Sequence, residues 1–76
     1  MDITETLDTS GLSCPLPVLK TKKAIKGLNV GDLLKIISTD PGSKKDIPSW
    51  ARVTGQEIVD EGMEDEKYVF VVKKLK

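Results

Sequence analysis

The residue with the clearest capacity for chemistry is Cys14, the one cysteine in a chain that has no histidine. It lies in the segment Gly11-Leu12-Ser13-Cys14-Pro15-Leu16-Pro17. A thiolate is a strong sulfur nucleophile. With no second cysteine there is no internal disulfide and no two-cysteine redox motif. With no histidine there is no cysteine–histidine nucleophile pair. The thiolates and imidazoles of a structural zinc site are missing too, so no metal is expected. What remains is a thiol that can take up a group and pass it on, with any base supplied by another protein.

The prolines bear on where that thiol sits. A proline drives the residue before it out of helical geometry. Pro15 is therefore expected to hold Cys14 as a helix N-cap, with Pro15 and Pro17 as the first and third helical residues, where a missing N–H costs little. The partial positive charge of a helix start favours an anion. The prolines remove two of the first four amide donors, leaving those of Leu16 and Val18, and no cation adjoins Cys14 in sequence. A modestly activated thiol is the expectation. A lone cysteine can instead be a buried, inert small hydrophobe. Core cysteines have no need of a proline-fixed helix mouth, which favours the reactive reading.

The elements that would position Cys14 follow from hydrophobic periodicity. Residues 3–8 alternate Ile3 and Leu7 with polar groups, as in a short strand. A loop with an unusual backbone angle at Gly11 leads to a helix over residues 15–28. Val18, Thr21, Ile25 and Leu28 make its buried stripe. Lys20, Lys23 and Lys26 fall on the other face, with Leu16 and Leu19 toward it. The lysines alone read as a solvated face, and the leucines as half-buried helix edge or as a docking surface. Residues 29–32 form a turn, and residues 33–39 a largely buried strand stopped by Asp40-Pro41-Gly42. A second helix begins near Lys44 or Asp46 and ends at Thr54, with Gly55 as its C-terminal cap. Ser43 with Asp46 resembles a capping box, which sets Pro48 awkwardly deep in the helix; with Asp46 as N-cap, Pro48 falls in the tolerated first turn. Two strands, 56–61 and 67–73, enclose a hairpin loop over 62–66, whose acidic residues read as a solvated tip. The order is βαβαββ, an α/β two-layer sandwich in which two helices cover one face of a four-stranded mixed sheet.

The chain has 76 residues, 12 Lys plus Arg and 12 Asp plus Glu. That length fits one domain with a modest core and no enclosed cofactor cavity. No cofactor is expected. The neutral charge balance argues against direct nucleic-acid binding. Residues 1–5 hold no basic start or apolar run, so neither a signal peptide nor a membrane span is expected. The expectation is a cytoplasmic protein, monomeric when free, in a compartment where a free thiol persists.

Asp8, Gly11-Leu12, Cys14-Pro15-Leu16-Pro17 and Val18-Leu19-Lys20 resemble the Cys-Pro-x-Pro signature of TusA/SirA-type sulfur carriers. Gly31-Asp32, Thr39-Asp40-Pro41, Asp46-Ile47-Pro48 and Gly55-Gln56-Glu57 extend the likeness, in order, over nearly the whole chain. The resemblance implies the βαβαββ sandwich and a persulfide on Cys14, positioned by Gly11, Pro15 and Pro17. It implies a donor such as a cysteine desulfurase or a rhodanese-like protein, and an acceptor in tRNA thiolation, molybdenum-cofactor synthesis or other sulfur trafficking. Leu16, Leu19, Lys20 and Lys23 are the candidate partner-binding residues. Some members have Arg before the cysteine and Glu between the prolines, where this chain has Ser13 and Leu16. Others have a second cysteine at Ala51, and a histidine is common at Gln56. These departures bear on the partner more than on carriage. The fold order also resembles the C-terminal domain of a bacterial translation initiation factor, which leaves an RNA- or protein-binding module as the alternative. A thiol regulator of gene expression or of a membrane sulfur transporter is another.

Overall fold

Residues 69–72 are a continuous apolar run and residues 33–37 are apolar but for Lys35, the pattern of strands inside a sheet rather than at its edge. In a computed structural model describing residues 2–76, both stretches lie at the centre of the sheet. Met1, part of the N-terminal stretch read above, lies outside the described residues. The elements are β1 (Glu5–Thr9), α1 (Leu16–Lys26), β2 (Leu33–Ser38), α2 (Ser43–Thr54), β3 (Glu57–Glu64) and β4 (Lys67–Lys73). The sheet order is β1-β2-β4-β3. β1 runs parallel to β2, and β4 pairs antiparallel with β2 and β3. This is the expected two-layer βαβαββ sandwich.

The pleat divides β2 between the two faces of the sheet. Leu34, Ile36 and Ser38 are buried, while Leu33, Lys35 and Ile37 between them are half-buried. Leu34 pairs with Val72 and Ile36 with Phe70, so these four share the helix-covered face. They meet Ile25 of α1 and Ile47, Trp50 and Ala51 of α2 in one cluster, with Leu7, Val18, Leu28 and Ile58 packed against it. Val69 and Val71 point the other way and are still buried, flanked by their cross-strand neighbours Ile37 and Lys35. Lys35 reaches Glu64 at 3.4 Å.

Several boundaries differ from the sequence reading; β1 is Glu5–Thr9 rather than residues 3–8, and three other differences bear on the packing. α2 begins at Ser43 with Gly42 as N-cap, so Asp46 is not the cap and Pro48 is inside the helix. The missing Pro48 N–H leaves only the Lys44 carbonyl without its helical donor, on an exposed turn that water can reach. In return the Ser43 side chain is buried and its hydroxyl shares a hydrogen bond of 2.6 Å with that of Ser38. α1 stops at Lys26, and the Lys74 ammonium takes over beyond it, donating to the carbonyls of Ile25 at 2.9 Å and Leu28 at 2.7 Å. The hairpin loop is Asp65 and Glu66 alone, at φ 50° and 64°, rather than residues 62–66. Two positive φ values fit a type I′ turn, whose right-handed twist lets β3 run on to Glu64. The usual Asn-Gly or Asp-Gly signal is missing at Asp65-Glu66. At the other end of α2, Gly55 lies at φ 78° as expected, and the Gln56 N–H closes on the Ala51 carbonyl at 2.8 Å.

The Ser38–Ser43 pair ties the end of β2 to the first turn of α2. Ser43→Ala is expected to lower unfolding stability by about 1–2 kcal/mol, because the Ser38 hydroxyl loses its buried partner. Adding Ser38→Ala should cost less than the two single changes summed, which a double-mutant cycle in urea would read.

Candidate functional site

Cys14 is exposed, between the loop that leaves β1 and the first turn of α1. The loop is pinned from both sides. Asp8 accepts the Ser10 N–H at 2.9 Å and also the Ser10 hydroxyl, and these bonds hold its carboxyl below the ordinary aspartate range. Gly11 takes φ 83°, the left-handed conformation anticipated for it. Its N–H donates to the Thr39 hydroxyl at 2.8 Å. The Cys14 N–H donates to Asp40 Oδ2 at 2.8 Å. Two consecutive residues after β2 thus hold the cysteine loop.

The helix mouth is displaced by one residue from the sequence reading. Pro15, not Cys14, is the N-cap, and Leu16 is the first helical residue. The Cys14–Pro15 peptide bond is cis. The Leu16 N–H bonds the Ser13 carbonyl at 2.9 Å, and the Leu19 N–H bonds the Pro15 carbonyl at 3.1 Å. Pro17 is the second helical residue and is fully buried, and its carbonyl accepts the Thr21 hydroxyl at 2.8 Å. Pro15 is exposed while Pro17 belongs to the packed interior.

The thiol environment overturns the expectation of activation. Cys14 Sγ donates to Asp46 Oδ2 at 3.3 Å. That bond, loss of hydration and the negative charges of Asp46 and Asp40 together raise the Cys14 pKa above the ordinary thiol value. The charge at a helix start comes from backbone groups adjacent in sequence. The carboxylates arrive from the β2–α2 connection and the first turns of α2, and they favour the protonated thiol. Both lie in segments of the family likeness, Thr39-Asp40-Pro41 and Asp46-Ile47-Pro48, which was the available signal.

Leu16 and Leu19 are 42 % and 49 % exposed, so the outward register expected for them holds, and Lys20 and Lys23 are exposed on the same helix. Surface clefts of about 460 and 380 Å³ lie elsewhere, one against Pro48, Met63 and Tyr68, the other against Ile25, Trp50 and Lys74. Cys14 lines neither, so a group held on it would be carried at the surface. Among the described residues no three Cys, Asp or Glu side chains gather as a metal site, and no helix is long and apolar enough to cross a membrane.

Residues 5–74 match the family described as sulfurtransferase TusA. The chain belongs to this family. The sulfur carrier protein TusA of Allochromatium vinosum is 44 % identical over 73 residues, covering 96 % of each chain. A protein of Halobacterium salinarum is 51 % identical over 76 residues, covering 99 % of this chain and 94 % of its own. The crystal structure of a SirA-like protein from Desulfitobacterium hafniense superposes with a TM-score of 0.83 over 95 % of this chain and 99 % of that one. At 22 % identity this last likeness speaks for the fold. As a TusA-family sulfur carrier, the chain works with a protein that supplies sulfur and one that receives it.

The Asp40 grip on the cysteine loop is open to measurement. Asp40→Ala is expected to remove the protection of the Cys14 amide against hydrogen exchange. It should lower global stability by about 1–2 kcal/mol, since the Cys14 bond lies at the solvent edge and the longer Gly42 bond at the N-cap of α2 is lost with it. Exchange read by NMR alongside a denaturant titration checks both.

Proposed function

We propose that Cys14 accepts sulfur as a persulfide from a donor protein and relays it to an acceptor protein. The observation that carries this reading is an exposed sulfur at the mouth of α1, outside both clefts described above, in a TusA-family chain. Such a sulfur can be presented to the active sites of two different enzymes in turn. In loading, Cys14 loses its proton to water and its thiolate attacks the outer sulfur of the donor persulfide. The donor S–S bond breaks, a new S–S bond forms at Cys14, and the donor cysteine leaves as a thiolate. The sulfur carries its oxidation level with it, so no external oxidant or reductant is consumed. Delivery runs the same exchange toward the acceptor thiol.

A cysteine desulfurase or rhodanese-like protein is the donor this chemistry calls for. The acceptor serves tRNA thiolation, molybdenum-cofactor synthesis or other cytoplasmic sulfur trafficking. Gly11, Pro15 and Pro17 position the loop and helix start. Leu16 and Leu19 form the apolar centre of the docking surface, with Lys20 and Lys23 as its cationic rim, an arrangement typical of interaction sites.

After incubation with a cysteine desulfurase and cysteine, wild type should gain about 32 Da per sulfur in intact mass, and Cys14→Ser should gain nothing. Equal gain in both would exclude Cys14 as the carrier. Leu16→Glu should weaken binding to that desulfurase by roughly 1–2 kcal/mol while leaving the melting temperature almost unchanged. A titration and a melting curve on the same variant separate a docking role from a packing role.

A further inference from the structure

Two carboxylates face Cys14, and neither belongs to α1. Asp46 Oδ2 lies 3.3 Å from the sulfur, and Asp40 Oδ2 accepts the Cys14 N–H at 2.8 Å. The first turn of α1 offers no charged side chain, since its residues are Leu16, Pro17, Val18 and Leu19. Lys20 and Lys23 follow farther along that helix, and Lys44 and Lys45 are exposed on the first turn of α2. Asp8, at the far end of the loop, is engaged by Ser10. Cys14 is thus a nucleophile whose immediate charged neighbours are both anionic, the reverse of the cationic surroundings that activate a thiol.

We propose that Asp46 holds Cys14 as an unreactive thiol in the free protein, and that a cationic side chain from a docked sulfurtransfer partner releases it by pairing with Asp46. This rests on Cys14 being the sulfur-bearing residue. The free thiol donates to Asp46, so loss of its proton costs a hydrogen bond and sets a thiolate against a carboxylate. The raised Cys14 pKa agrees in sign, since the protonated form is favoured to higher pH than in an unfolded chain. A guanidinium or ammonium at Asp46 removes both penalties, and the proton departs to water as the thiolate attacks the donor sulfur. The partner surface then needs a cation opposite Asp40 and Asp46 and acidic groups opposite Lys20 and Lys23. A carrier that reacts only when docked keeps its thiol from stray electrophiles and disulfides.

Iodoacetamide alkylation of Cys14, followed by intact mass across pH, tests the assignment. Wild type in native buffer should inflect at higher pH than the same chain in 8 M urea. Asp46→Asn should lower the native inflection, and each unit of fall raises the thiolate fraction near neutral pH about tenfold, slightly offset by weaker nucleophilicity. Asp46→Glu should restore part of the wild-type profile. Ser13→Arg, placing a cation beside Cys14 from an exposed position, should lower the inflection more in the wild-type background than in Asp46→Asn. Superimposed profiles for wild type and Asp46→Asn would overturn the restraint by Asp46. A native inflection at or below that in urea would do so without any variant. Equal effects of Ser13→Arg in both backgrounds would overturn release through Asp46. Sulfur loading is measured separately by mass. A chain with the predicted profiles that fails to load sulfur contradicts the carrier reading alone, and one that loads with superimposed profiles contradicts the Asp46 assignment alone.

Discussion

The carboxylate of Asp40 is the point at which the cysteine, the end of β2 and the start of α2 are tied together. One of its oxygens accepts the Cys14 N–H at 2.8 Å, and the other accepts the Gly42 N–H at 3.3 Å, at the N-cap of α2. Its own N–H is taken by the Ser38 hydroxyl at 3.1 Å, which is bonded in turn to Ser43. The end of β2, the start of α2 and the cysteine loop are therefore one hydrogen-bonded unit. Asp46 follows from the same unit, because the start of α2 at Ser43 sets where its carboxylate falls relative to Cys14.

That unit is only as well placed as the sheet beneath it. β2 lies between β1 and β4, so the connection after it begins from a strand with two paired neighbours. Thr9 adds a cross-strand bond, its hydroxyl donating to the Ile37 carbonyl at 2.6 Å as the chain leaves β1 for the cysteine loop. The buried face of α2 locks the second layer through Ile47, Trp50 and Ala51. By contrast β3 is a mostly exposed edge bearing Glu57, Asp60, Glu61 and Glu64, with a register shift after Ile58. Charges and a bulge on an edge discourage pairing with another sheet, and none of these groups bears on the thiol.

A sulfur carrier must hold a nucleophile in the open without spending it. In the carrier role proposed for Cys14, exposure answers the first half of that requirement, and the restraint proposed for Asp46 answers the second. The chain is neutral overall, yet the carboxylates that reach Cys14, Asp40 and Asp46, both come from the β2–α2 region, while the first two turns of α1 carry Lys20 and Lys23 and no acid. Sorted charges of this kind favour one orientation of an incoming surface over others.

Several features were legible in the residues alone because they depend on neighbours in sequence. The order of elements follows from the switch between strand and helix periodicity. The inner face of α1, through Thr21 and Ile25, and the outward Leu16 and Leu19 follow from helical spacing. β4 emerges at its expected bounds, since its apolar run has clear polar ends. The exposure of Cys14 follows from its flanking prolines, although the helix begins one residue later than they suggest. Other features needed the fold. The two-residue turn at Asp65-Glu66 was hidden because it lacks glycine, and the start of α2, left open between Lys44 and Asp46, falls at Ser43, whose buried hydroxyl meets that of Ser38. The charge state of the thiol was hidden most deeply. Asp40 is 26 residues from Cys14 and Asp46 is 32 residues from it, and no local rule weighs them. A helix start acts through a fractional charge on backbone groups near in sequence, whereas a full carboxylate at hydrogen-bond distance acts through space. The sequence by itself determined that one sulfur would stand at the surface. Only the tertiary structure decided that it would hold its proton more firmly than an ordinary thiol, because only folding brings the carboxylates to it.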